Sequence, residues 1–217
     1  MTNILTDDGH VLLTGTTGAG EGMGGKTTTA NWWHEQAVTS ENRDVSLFYN
    51  PKRHNGIKGQ TCRSLSQLAA AYREGARLLD FQPHSEYGEP EHEPVTRWFR
   101  RLPGDKQIVH DEVSFYSDSE GLQWCLAQGG NLDTGSIRSL VLTQYPWDLS
   151  ERQLNLLIWR VYVGQPTKST ERYLLSMGLG ELSAEIERLA QPYGWIAITG
   201  DEIINVYEPV PETYTPG

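Results

Sequence analysis

One stretch of the sequence places glycines, a lysine and a threonine at a spacing suited to phosphate. Gly20-Glu-Gly-Met-Gly-Gly-Lys26-Thr27 fits the pattern G-x-x-x-x-G-K-[ST]. Only glycine takes the required φ > 0 turns without a Cβ clash, so successive backbone N–H groups can point at an anion. Lys26 would bridge the β- and γ-phosphates of a nucleotide, Thr27 Oγ would ligate Mg²⁺, and the helix that follows would offer its N-terminus. The residues thereby assigned to nucleotide are Gly20, Gly22, Gly24, Gly25, Lys26, Thr27 and Thr28. The loop is irregular in one respect. The apolar run VLLTG ends at Gly15, five residues before Gly20, and Gly15-Thr-Thr-Gly-Ala-Gly20 looks like the first half of the same motif with Glu21 where lysine belongs. The loop therefore carries an insertion, and which glycines touch phosphate stays open. Residues 16–22 are expected to bulge outward, with the helix starting at 25–27 and Lys26 facing the nucleotide.

Two further segments carry polar groups at the end of an apolar run. Ile108-Val-His-Asp111-Glu112 ends in adjacent carboxylates. Behind a phosphate loop, the first acid serves the Mg²⁺ shell and the second polarises the attacking water. His110 is expected to pack between strands. Ser139-Leu-Val-Leu-Thr-Gln144 ends in two polar residues, and Gln144 could sense the γ-phosphate or orient water. In P-loop enzymes with an inserted strand, this element lies between the phosphate-loop strand and the acidic strand. Such sites also need a positive charge on the γ-phosphate beyond the loop lysine. The candidates are Arg138 and Arg160. Arg138 precedes its strand's apolar core, far from its own nucleotide, so it would serve a neighbouring subunit in a ring.

The elements that must position these groups alternate as in an α/β fold. Strands are expected at 11–15, 44–50, 77–81, 106–111, 139–143 and 160–164. Helices are expected at about 26–38, 64–75, 95–102, 121–128, 154–158 and 181–191. Residues 83–94, rich in proline, glutamate and histidine, read as a loop. Residues 195–199 and 202–207 flank Gly200-Asp201, a two-residue hairpin turn. The whole chain, 1–217, reads as a single domain with its core at about 10–165, a C-terminal helix and hairpin at 181–208, and a proline-rich tail at 209–217.

Composition narrows the class. With 37% hydrophobic and 21% charged residues the chain is ordinary for a soluble globular protein, and no apolar run approaches the ~20 residues that span a bilayer. The start, MTNILTDDGH, lacks a basic segment followed by an apolar one, so no signal peptide is expected and the protein is read as intracellular. Cys62 and Cys125 make neither a disulfide framework nor a metal motif, and the six histidines show no metal-binding pair. Five lysines and thirteen arginines face 28 acids, giving a formal charge of −10. Such a surface repels nucleic acid at long range, so any contact with DNA would have to come from a local basic patch. Two basic stretches qualify, Lys52, Arg53, Lys58 and Arg63, or Arg97, Arg100 and Arg101 with Trp98 and Phe99; each also reads as an ordinary solvated surface. Acid-rich, lysine-poor composition also suits a salt-rich cytoplasm.

Taken together, Gly20–Thr27, IVHDEV (108–113), IRSLVLTQYP (137–146) and LNLLIWRVYVG (154–164) resemble the FtsK–HerA branch of P-loop ATPases, especially the genome-packaging ATPases of tailless double-stranded DNA viruses. The resemblance spans roughly residues 10 to 165. It implies a three-layer α/β fold of the RecA-like (ASCE) kind, with a mostly parallel sheet and a C-terminal antiparallel hairpin. It also implies Mg²⁺-dependent ATP hydrolysis, with Asp111, Glu112 and Gln144 at the site and Arg138 presented in trans. The implied partners are double-stranded DNA, further copies of the chain in a ring (a hexamer), and capsid or portal-vertex proteins, without membrane insertion. The implied place is host cytoplasm or virion, and the composition suggests a haloarchaeal host. The chain departs from the family in its lengthened phosphate loop and its lack of a second DNA-binding domain. Zot-like morphogenesis ATPases share the motifs, so an ATP-dependent assembly or switch protein that does not move DNA is the alternative. Glu112 argues against a pure switch, which needs no general base.

Overall fold

The computed structural model describes residues 4, 7–15, 25–40, 43–130, 133–164, 172, 174–175, 180–190, 194–200 and 202–214. Nine strands form one sheet in the order β3-β4-β2-β5-β6-β1-β7-β8-β9. The strands are β1 (Val11–Gly15), β2 (Val45–Tyr49), β3 (Gln60–Cys62), β4 (Leu78–Phe81), β5 (Lys106–His110), β6 (Ile137–Leu142), β7 (Trp159–Val163), β8 (Trp195–Thr199) and β9 (Glu202–Tyr207). From β3 to β7 all neighbours pair in parallel; β7–β8 and β8–β9 are antiparallel. The fold is therefore the expected α/β sandwich with a mostly parallel sheet and an appended C-terminal hairpin. As expected, β6 lies between the phosphate-loop strand β1 and the acidic strand β5.

Period-2 alternation along buried strands divides the core between two faces. Val11 and Leu13, Val109, Leu140 and Leu142 face one side, where helix α1 (Lys26–Thr39) lays down Ala30 and Trp33. Leu12, Ile108 and Val141 face the other. There α2 (Leu65–Arg73), α3 (Glu89–Phe99) and α4 (Glu120–Gln128) contribute Leu68, Val95, Phe99, Leu122 and Leu126. A short α5 (Glu151–Leu156) precedes β7, and α6 (Gly180–Leu189) buries Ile186 in the same layer. The last strands close on themselves through Trp195 stacked on Tyr207, ring centroids 3.6 Å apart.

Local chemistry explains most boundaries. Ser64 caps α2 by accepting from Gln67 N, and Ser150 with Gln153 forms a capping box that starts α5. Two readings need correction. The segment taken as a loop at 83–94 contains the first half of α3, which begins at Glu89 and carries Pro90 and Pro94. Pro90 sits in the first turn, where N–H groups have no intrahelical partner, so it does not oppose the helix; Pro94 removes one bond further in. The three-residue edge strand β3 was not foreseen, because Gln60 and Thr61 are exposed and only Cys62 is buried. Gly15 closes β1 at φ 141°, and a Cβ there would run into the Val163 carbonyl of β7, so this glycine is required by the sheet itself.

Candidate nucleotide site at the carboxyl edge of the sheet

The carboxyl ends of β1, β5 and β6 are adjacent, and each delivers one of the foreseen groups. After β1, the chain re-enters the described residues at Gly25, the N-cap of α1, with no side chain bonded over it and no acid in the first turn. The helix start at Lys26 agrees with the expectation; Gly20, Gly22, Gly24 and the bulge at 16–22 lie outside the described residues. Lys26 is buried, and its Nζ donates to the Gly15 carbonyl at 3.0 Å. Burial lowers its ammonium below the usual lysine range, while the negative charges of Glu112 and Asp111 hold it up and Lys52 lowers it further. Thr27 is half-buried beside it, and Thr28 is buried.

At the end of β5, Asp111 is buried and its main-chain carbonyl accepts from Tyr116 OH at 2.7 Å. Burial, and next the adjacent Glu112, push the Asp111 carboxyl up to about 7 against the pull of Lys52 and Lys26. Its Oδ2 has no hydrogen-bond donor, and the nearest charged-type group, His54 Nε2, is 3.7 Å away. His54 is itself lowered by burial and by Lys52, so that contact is not a strong ion pair. A buried carboxylate oxygen left without a donor fits a divalent cation. Among the described residues no group of three or more His, Cys, Asp or Glu could enclose a metal.

Glu112 follows in the left-handed region, φ 47° and ψ 54°. Its Oε1 accepts from Lys52 Nζ at 2.8 Å and from Gln144 Nε2 at 3.4 Å. Asp148 lies close enough that Glu112 adds to the rise burial imposes on its carboxyl. Three non-glycine residues among those described have positive φ, Arg53, Tyr87 and Glu112. Glu112 is in the site, and the other two line an adjoining groove of about 480 Å³ with Pro51, Lys52, His84 and Phe115. Backbone strain of this kind concentrates where geometry is held for function.

The structure thus brings Lys26, Asp111, Glu112 and Gln144 together, and it does not bring in either arginine. Arg138 is fully buried near the amino end of β6, its guanidinium 5.4 Å from the centre of the Trp33 ring and bonded to the Ile4 carbonyl. Within this chain the side chain is enclosed by Trp33 of α1 and by Ile4 rather than turned outward to a neighbour. Arg160 sits early in β7 and donates to the Gly200 carbonyl at 3.2 Å, turned to the C-terminal hairpin. A second cation at the site, beside Lys26, is Lys52, which sequence reasoning grouped with a basic surface stretch. Of that stretch, Arg53 bonds the Pro83 and His84 carbonyls, Lys58 lies over Tyr214, and Arg63 reaches Gln82. In the other stretch Arg97 pairs with Glu93 and Arg100 stacks on Trp124. His110 is buried as foreseen, sharing a 3.0 Å bond with His92.

No family model matches this sequence, and no curated protein matches it. Solved structures do share its fold. The genome packaging NTPase B204 of Sulfolobus turreted icosahedral virus 2, in complex with AMPPCP, aligns with a TM-score of 0.65 at 12% identity over 94% of this chain and 98% of that one. The pCW3 conjugation coupling protein TcpA with ATPγS aligns at 0.58 and 10% identity, over 94% of this chain and 60% of that one. VirB4 of Thermoanaerobacter pseudethanolicus aligns at 0.58 and 11%, over 98% and 94%. The resemblance seen in the motifs thus extends to the fold. Among the described residues no helix is long and apolar enough to cross a membrane.

Proposed function

We propose that the chain binds and hydrolyses ATP and uses the turnover to move double-stranded DNA, with packaging of a viral genome as its task. The observation that carries this reading is the meeting of Lys26, Asp111, Glu112 and Gln144 at the carboxyl ends of β1, β5 and β6, with β6 interposed. The phosphates would lie over Gly25 and the start of α1, with Lys26 on the β- and γ-groups and Gly20, Gly22 and Gly24 as the further loop residues assigned to them. Thr27 and Asp111 are the side chains that would hold Mg²⁺, whose part is to neutralise phosphate charge. Glu112 takes a proton from water as the water oxygen bonds to the γ-phosphorus and the bond to ADP breaks, ADP leaving with the electron pair. Gln144, touching Glu112, would orient that water. Fold likeness to B204, a DNA-packaging ATPase, supports a DNA-directed role over a small-molecule kinase. A ring of subunits, most simply a hexamer, in contact with capsid or portal proteins completes the reading, and places the protein in host cytoplasm or virion.

The test is turnover with and without DNA. Duplex DNA at moderate salt is expected to raise the ATPase rate several-fold, and the stimulation should fall steeply as salt is added, because phosphate contacts are counterion-sensitive. ATP turnover indifferent to DNA at every salt concentration would move the protein to the assembly-factor reading.

A further inference from the structure

Beside the loop lysine, the turn after β2 brings a second ammonium to the carboxyl edge of the sheet. Residues 50–54 form a tightly held turn. Asn50 Oδ1 accepts from His54 N at 2.9 Å, while its Nδ2 donates to His54 O at 2.9 Å and to the buried Asp80 Oδ1 at 3.0 Å. Arg53 takes the left-handed conformation, φ 54°, and its guanidinium ties the turn to the carbonyls of Pro83 and His84 at 3.0 and 2.7 Å. These bonds fix the backbone, and Lys52 projects from it across the end of the sheet to Glu112. The Lys52 side chain is 35% exposed on the wall of the groove, so its ammonium can move without unpacking the core. It is also close enough to Lys26 for the two ammoniums to repel. Two like charges at one edge are tolerated beside Asp111 and Glu112, and both become favourable when a polyanion lies between them.

We propose that Lys52 is the second cation on the terminal phosphate of the bound nucleotide, contributed by the chain itself, and that it passes to that phosphate from Glu112. The transfer has two effects. The γ-phosphate gains a charge-assisted contact where negative charge is greatest, and Glu112 Oε1 loses an ammonium donor and is left to accept from water. Because ADP lacks the γ-phosphate, only the triphosphate completes the exchange, and the acid is released for chemistry only when there is a bond to cleave.

The inference rests on the proposed hydrolysis, and the experiment separates the two. Affinities for ADP and for the non-hydrolysable β,γ-imido analogue of ATP are measured by calorimetry for the wild type, Lys52→Ala and Lys52→Arg, with ATP turnover measured alongside. Lys52→Ala is expected to weaken the analogue by on the order of 10- to 100-fold, the worth of a hydrogen bond to a charged group, and to leave ADP within about twofold. Its kcat should fall at least as far, and Lys52→Arg should recover part of both losses. Equal weakening of ADP and analogue, no weakening, or a rise in turnover with Lys52→Ala would each overturn the assignment. A wild type that binds no nucleotide would instead remove the hydrolysis reading beneath it.

Discussion

Glu112→Gln is expected to keep ATP binding within a few-fold of wild type and to lower kcat by on the order of 10²–10⁴, the usual worth of a positioned general base. Glutamine keeps the length of the side chain and can still hydrogen-bond Gln144 and Lys52, so the site retains its shape. What it loses is the ability to accept a proton from water. Binding is assigned to the loop, Lys26, the start of α1 and Lys52, and the substitution replaces none of them. Single-turnover hydrolysis with pre-bound ATP isolates the chemical step from binding. Wild-type turnover in this variant would take Glu112 out of the mechanism and leave Asp148, whose carboxyl Glu112 influences, as the next acid to examine.

Arg138→Ala is expected to act on stability, by about 3 kcal/mol. The guanidinium over Trp33 is desolvated, and it supplies the donor for the Ile4 carbonyl; a buried cation–π contact and a hydrogen bond from a charged group are each worth roughly 2 kcal/mol, less what the site recovers by collapsing. For a chain of this length that corresponds to a melting temperature lower by roughly 6–12 °C. Turnover per folded molecule should survive. Mixing Arg138→Ala with Lys26→Ala subunits tests the role across an interface directly. An arginine acting across an interface would give two inactive variants that regain activity together, with no change in melting. The expected result is the reverse, a less stable Arg138→Ala that needs no complementation.

The sequence was most legible where chemistry and backbone geometry coincide. Lys26 had to open a helix behind a strand, and α1 begins there. Apolar runs 108–110 and 139–142 had to be strands buried on both faces, and the polar residues at their ends meet because both strands run parallel and adjacent. Misreadings came where tertiary context decided. An arginine in IRSLVL reads as a surface residue, because nothing local announces that Trp33 and Ile4 will cover it. Lys52 reads as one of several basic residues after a strand, because the turn that aims it is set by Asn50 and Arg53 bonding groups far along the chain. Prolines at 90 and 94 suggested a loop, although one of them occupies the first turn of α3.

The left-handed backbone at Glu112 has a consequence for how this protein could be improved or could drift. A non-glycine residue at φ 47° carries strain of about 1–3 kcal/mol that glycine does not, and asparagine carries less of it. Part of the relief is returned through the freer unfolded chain when glycine is used, so the net gain is on the order of 1 kcal/mol. The residue proposed as the general base is therefore one the fold would be steadier without. On the proposed mechanism, a selection for heat tolerance that does not also demand turnover will be drawn to position 112, and the survivors it collects there will be robust proteins that no longer cleave ATP.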